Sequence, residues 1–281
     1  MAVRIITDSA SDIIDIDRDD LVVVPLTIAF GGDIYHDGAD LTHERFYELL
    51  VESGELPTTG QVTPYDWGKV FDEAVESGDD VVCITISSGL SGTNQAACLA
   101  AQDHPDRVFV VDSLNACLGE RILVEHALNM ADQGASAQEI AEDCDRRKGD
   151  IRLIALLDTL EYLRKGGRID AVSAGVGAML QIKPVITIKD GKVATLGKAR
   201  GSKNGRNLLN EVVGQSGGVD FSLPIAIGYS GLSDRLLQKY VEDSRQLWES
   251  ELDQLPTHTV GSTIGTHVGP GAIALAYFHK G

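Results

Sequence analysis

Aromatic side chains are scarce, at 5% of the 281 residues, while hydrophobic residues make up 43%. Any core must therefore be packed with aliphatic groups, and the length suits one large core or two moderate ones. Basic charge is also scarce: 24 Lys and Arg stand against 42 Asp and Glu, for a formal net charge of -18. That balance argues against a nucleic-acid binder, which needs a basic surface to neutralise phosphates. The four cysteines, Cys83, Cys98, Cys117 and Cys144, stand singly, with no CxxC pair and no His at metal-ligand spacing. They are expected to be buried reduced thiols, and no metal site is expected. No apolar run approaches the roughly 20 residues that span a bilayer. The opening residues MAVRIITDSASD carry no charged region followed by a long apolar one, so a cytoplasmic protein without a membrane segment is expected.

What is abundant is strand-length apolar sequence. Runs occur at 3–7, 21–30, 81–86, 107–112, 151–158, 183–188, 223–230 and 257–264, most of them continuous rather than alternating, as strands buried on both faces are. Helical periodicity fills Thr42 to Glu52, Tyr65 to Ser77, Gly92 to Gln102, Gly119 to Gln133, Ser136 to Lys148, Lys203 to Gly214 and Asp234 to Glu251. Alternation of the two predicts an α/β fold. The N-terminal part reads as a doubly wound, mostly parallel sheet. Around residue 158 the regularity ends in a Gly-rich segment, EYLRKGGRIDAVSAGVG, followed by a hairpin turned at Lys189 to Lys192 (KDGK). Two domains are therefore expected, residues 1–158 and a mixed-sheet C-terminal part at 159–281, with a ligand in the cleft between them.

Charge is unevenly spread. Arg146 to Arg206 holds 14 Lys and Arg against 5 Asp and Glu, a local balance of +9. Such a segment is either a solvated face paired with acidic neighbours or a docking surface for an acidic or phosphorylated partner.

Three stretches suit an anion. In VVCITISSGLSGTNQAA, at 81–97, a strand runs through a Ser/Gly turn into a helix, which places backbone N–H groups and hydroxyls at a helix N-terminus. Phosphate, carboxylate or plain capping by Ser91 or Thr93 all fit. It is not a P-loop, since GLSGT lacks the lysine. PTTGQVTP, at 57–64, offers Thr58, Thr59 and Thr63 ahead of a helix. In STIGTHVGPGAIALAYF, His267 is expected to end a strand before a helix starting around Pro270. Its place among glycines favours a functional role. Asp8 and Ser9 could hold a metal or phosphate, but TDSASD reads better as a helix cap.

No GxSxG elbow or acid–His–Ser arrangement is present, so no catalytic residues are assigned. A hydrolase or an acyl or phosphoryl transferase using Ser91 and His267 is the enzymatic alternative.

Taken together and in order, ITDSASD, VVPLTIAFGGDIYHDG, PTTGQVTP, ITISSGLSGTNQAA, VVDS, LEYLRKGGRI, KPVITIKDGKV and HVGPGAIALAYF resemble the DegV family of bacterial fatty-acid-binding proteins. The resemblance covers essentially the whole chain. It implies two α/β domains holding one long-chain fatty acid, with the tail in an apolar tunnel and the carboxylate bound by Thr59, Ser91 and His267. No cofactor is implied beyond that ligand. Arg168 matches an arginine placed near the site. A fatty acid kinase is implied as the ATP-dependent partner that converts the carboxylate to acyl phosphate for phospholipid synthesis. A module that only reports lipid status would use the same features. Lys165, Arg168, Lys198, Arg200, Lys203 and Arg206 are the candidates for the partner-facing surface, with Arg200 and Lys203 the ones to test. Many relatives carry TSQ where this chain has TGQ, so Gly60 replaces a hydroxyl.

Overall fold

The structure, a computed structural model, describes residues 2–169 and 182–280. The end of the predicted Gly-rich segment, 170–177, lies outside the described residues. In chain order the elements are β1 (Val3–Asp8), β2 (Leu21–Val24), β3 (Thr27–Phe30), β4 (Asp33–His36), α1 (His43–Ser53), β5 (Thr58–Gly60), α2 (Pro64–Glu76) and β6 (Asp80–Thr85). Then come α3 (Thr93–Ala100), β7 (Val108–Asp112), α4 (Leu118–Asp132), α5 (Ala137–Arg147), β8 (Ile151–Leu156), α6 (Glu161–Lys165), β9 (Ile182–Lys189) and β10 (Lys192–Arg200). The chain finishes with α7 (Gly201–Gln215), β11 (Ile225–Tyr229), α8 (Arg235–Asp243), β12 (Thr257–Thr259), α9 (Ser262–Val268) and β13 (Ile273–Phe278).

The fold is the expected α/β one. A four-stranded parallel sheet has the order β2-β1-β6-β7, and a six-stranded mixed sheet the order β10-β9-β8-β13-β11-β12. The first sheet is covered on both faces. Trp67 and Phe71 of α2 pack with Ala96 and Ala97 of α3 on one side, and Ile122, Leu123 and Ala127 of α4 with Ile140 of α5 on the other. That two-sided burial is why its strands read as continuous apolar runs. The predicted hairpin forms between β9 and β10, with Asp190 (φ 50°) and Gly191 (φ 74°) in the left-handed region that such a tight turn requires.

Several elements differ from the sequence reading. The run at 21–30 is two strands, not one. Pro25 has no N–H for a ladder, and beyond it β3 leaves the parallel sheet to pair with β4 and β5 in a small antiparallel one. The PTTGQVTP loop therefore includes a strand, β5. The helix expected to run from Asp234 to Glu251 stops at Asp243. Ser244 turns its hydroxyl back onto the Tyr240 carbonyl, and the chain bends through Arg245–Leu247 so that Trp248 packs edge-on against Tyr240 in the core. Cys98 is exposed, whereas Cys83, Cys117 and Cys144 are buried, and all four are free thiols.

β8 pairs with β13 and β9, so the change of sheet falls ahead of Ile151. One further correction concerns the chain's later half. The C-terminal stretch has helix and strand interchanged. β12 is only three residues long, the segment expected to continue it is α9, His267 lies in the last turn of that helix, and the strand β13 follows Pro270. The helix is built on buried carboxylates. Asp12 accepts from the Gly261 N–H at 2.8 Å, and Asp37 accepts from the Ser262 and Thr263 N–H groups at 3.0 and 3.1 Å. Acidic partners for the otherwise orphaned first N–H groups favour the helical start. Gly269, at φ 71°, then ends the helix ahead of the proline.

Candidate functional site

A cavity of about 210 Å³ lies where the two sheets meet. β8 contributes Leu153 and Ala155, and Leu157 just beyond its end continues the alternation on the same face. α9 and the turn before it contribute Val260, Thr263, Ile264, His267 and Val268, the i, i+3, i+4, i+7, i+8 stripe of one helix face. The β9–β10 hairpin closes another side with Ile186, Ile188 and Val193. No aromatic side chain lines the cavity among the described residues. The walls are aliphatic, as the composition foreshadowed.

One part of the cavity is polar, and four of the residues singled out from sequence meet there: Thr59, Ser91, Arg168 and His267. Thr59 Oγ1 lies 3.0 Å from His267 Nε2. Burial, and secondarily the Arg168 charge, push the His267 pKa down to about 4, so the imidazole is neutral at physiological pH. Its Nδ1 is buried without a hydrogen-bond partner. Ser91 Oγ is 2.9 Å from Thr93 Oγ1 and accepts from the Thr93 N–H at 3.3 Å; the N-cap position of α3 is Gly92, so neither Ser91 nor Thr93 is the side-chain N-cap considered from sequence. Arg168 spends its guanidinium on backbone carbonyls, donating to Leu90 O at 3.2 Å and Gly166 O at 2.7 Å. It thus fastens the loop bearing Ser91.

Neighbouring elements fix these groups. Helices α6 and α9 interlock: a Cβ at Gly166 would collide with the His267 ring, and one at Gly269 with the Tyr162 ring. Each glycine leaves room for the opposite helix's ring. The hairpin tip is latched to the Ser/Gly loop, with Ser87 Oγ donating to Gly191 O at 2.7 Å. A Cβ at Gly89 would lie 2.6 Å from that same oxygen. At Gly60, the space a side chain would need is filled by the Thr27 hydroxyl, its partner in the β3–β5 pairing. A threonine hydroxyl thus stands beside the position where Gly60 lacks one.

The other expected residues are elsewhere. Asp8 acts as the cap the sequence suggested, accepting from the Ala10 N–H, while the Ser9 hydroxyl accepts from the Leu26 N–H at 3.0 Å; Asp8 also accepts from the Ile86 N–H, which anchors the end of β6. Thr63 caps α2. Arg200 and Lys203 are exposed and do not line the cavity. Arg206 does not belong to an open basic face: it is buried and paired with Asp243 at 2.7 Å. Lys165 pairs with Glu161 and Lys148 with Asp145, each at 2.6 Å, while Lys183 pairs with Asp158. Part of the basic segment is therefore a solvated, paired face. Sequence reasoning missed the carboxylates of Asp12 and Asp37, the Gly166 and Tyr162 packing and the hairpin wall. Only the turn dipeptide of that wall gave a signal.

Among the described residues no helix is long and apolar enough to cross a membrane, and no group of three or more His, Cys, Asp and Glu could hold a metal ion.

Comparison with known proteins gives a consistent picture. The family described as "Uncharacterised protein, DegV family" matches residues 2–280. A DegV domain-containing protein of Caldanaerobacter subterraneus subsp. tengcongensis is 36% identical over 284 residues, 99% of each chain. Among solved structures, a DegV family protein from Thermus thermophilus, described for its fatty acid binding, superposes with a TM-score of 0.86 at 33% identity, covering 99% of this chain and 100% of its own. The Streptococcus pneumoniae Fatty Acid Kinase (Fak) B3 protein, loaded with linoleic acid, superposes with a TM-score of 0.87 at 25% identity over 100% of both chains.

Proposed function

The chain belongs to the DegV family, and from that membership and the geometry of its cavity we propose that it is a cytoplasmic carrier of one long-chain fatty acid. The tail occupies the aliphatic cavity, and Thr59, Ser91 and His267 hold the carboxylate. A fatty acid kinase then phosphorylates that carboxylate to acyl phosphate, for use in phospholipid synthesis. The observation that carries the reading is an aromatic-free apolar cavity with the Thr59–His267 pair at one part of its wall.

The energetics favour division of labour. At about 0.8 kcal/mol per buried CH₂, a long acyl tail gains on the order of 10 kcal/mol before ordering costs. Neutral hydroxyls and a neutral imidazole then need only orient the head group. They leave its oxygens nucleophilic, where a full salt bridge would hold the charge and oppose attack on ATP.

The geometry supports a carrier over a hydrolase or transferase. Ser91 is bonded to Thr93 and not to His267, and His267 Nδ1 has no acid to orient it. The testing experiment incubates the acyl-loaded chain with ATP and a bacterial fatty acid kinase, trapping acyl phosphate with hydroxylamine. The proposal expects hydroxamate only when both proteins are present. Turnover of acyl esters or phosphate esters by the isolated chain would favour the enzymatic alternative instead.

A further inference from the structure

The walls of the cavity are held unequally. β8 and β13 are paired on both sides within their sheet, and α9 is fixed at its start by Asp12 and Asp37 and at its end by the interlock with α6. The β9–β10 hairpin is different. β10 is the edge strand, and β9 pairs with β8 only at Val185, Ile186 and Thr187. Beyond Thr187, among the described residues, the two strands pair only with each other, yet this distal half brings Ile188 and Val193 to the cavity wall. β10 is irregular at the same level: its register shifts between Thr195, opposite Ile186, and Gly197, opposite Val185. Such a bulge interrupts the ladder and lets a strand bend. The far end is held at its tip. Gly191 is buried against Ser87 and Leu114, and the 2.7 Å bond from Ser87 Oγ to Gly191 O is the single hydrogen bond joining the tip to the loop after β6 among the described residues.

We propose that the distal half of this hairpin, 188–194, is the gate by which a fatty acid enters and leaves, hinged where β9 parts from β8 and at the facing bulge, and latched by the Ser87–Gly191 bond. The inference rests on the fatty-acid reading of the cavity. Local opening takes place where few interactions have to break. Here it breaks one hydrogen bond and lifts Ile188 and Val193 from the wall, while β8, α9 and the Thr59–His267 pair stay in place. Neither Ser87 nor Gly191 lines the cavity, so the latch governs how fast a ligand comes and goes more than how tightly it is held.

The test is stopped-flow release of a fluorescent fatty acid into excess unlabelled palmitate, with its equilibrium affinity measured alongside. It compares the wild type, Ser87→Ala and the double variant Ser87→Cys/Gly191→Cys, the last both reduced and oxidised. A Cβ placed at Gly191 lies 3.9 Å from the Ser87 Cβ, within the span that a disulfide bridges. Mass spectrometry confirms the bridge and melting temperatures establish that each protein is folded, while the reduced double variant controls for a side chain at Gly191, whose φ is 74°. Ser87→Ala is expected to release the acid about fivefold faster than the wild type, as loss of one neutral hydrogen bond implies, with affinity little changed. The bridge is expected to slow release on the order of tenfold or more, and a reductant to restore it. Equal release from the bridged and reduced forms, or release from Ser87→Ala at the wild-type rate, would overturn the inference and leave the carrier reading standing. Failure of the wild type to bind the fatty acid would remove the carrier reading itself, and this inference with it.

Discussion

His267 is a histidine that the fold keeps neutral, and its position has consequences for stability as well as for binding. Its folded pKa of about 4 lies below the ordinary value of 6.5. Between those values the unfolded chain takes up a proton and the folded chain does not. Stability attributable to this residue is therefore fully present above the unfolded pKa and is lost as pH falls toward 4. At about pH 5 the loss amounts to about 2 kcal/mol. Thermal melts of the unloaded protein should accordingly show a smaller drop between about pH 7 and about pH 5 in His267→Gln than in the wild type; equal drops would place His267 in a more solvated setting. Asp8 and Asp12 work in the opposite sense. Burial raises them to about 7 and about 8, so their contribution is present below the ordinary carboxylate range and lost as pH rises through those values. At the head group, Thr59→Val removes one hydrogen-bond partner of His267. Fatty acid affinity should fall about fivefold by fluorescence titration, in line with about 1 kcal/mol for one neutral hydrogen bond.

At the scale of elements, the site depends on how α9 is started and how it is packed. Gly166→Ala places a methyl against the His267 ring. Overpacking of this kind costs about 1–3 kcal/mol, and the ring must move off Thr59. Lipid retention should fall at least as far as in Thr59→Val, although Gly166 is not among the residues lining the cavity; unchanged retention would mean the ring is not held by this interlock. The same helix explains where the sequence was and was not legible. Strands buried on both faces, the Asp190–Gly191 hairpin and the capped helices are local signals, and they were readable. Thr59, Ser91 and His267 were traceable to small-polar, glycine-rich stretches at element ends, and Arg168 to the family resemblance. α9 was not readable as a helix, because STIGTHV is rich in β-branched residues and glycine, and its start is stabilised by Asp12 and Asp37, more than 220 residues away in sequence. Contacts across such separations leave no trace in a local window. Trp248 ended α8 early through a core contact that periodicity could not see.

At the scale of the whole molecule, the proposed function puts lipid binding and partner recognition on different surfaces. The chain is acidic overall, yet Arg200 and Lys203 stand exposed at the junction of β10 and α7, without ion-pair partners among the described residues and away from the cavity wall. If this face meets the kinase, reversing both residues to Glu should abolish acyl-phosphate formation while leaving fatty acid retention unchanged, and raised salt should weaken the wild-type reaction. Loss of both properties together would show that the face supports the fold instead. The proposed function requires that the cavity hold a fatty acid. Native and denaturing mass spectrometry of the protein purified from a bacterial host without added ligand tests that most directly. The account predicts one equivalent of a long-chain fatty acid on the wild type, reduced or lost in His267→Ala. A ligand-free mass that persists after incubation with palmitate and oleate would contradict it.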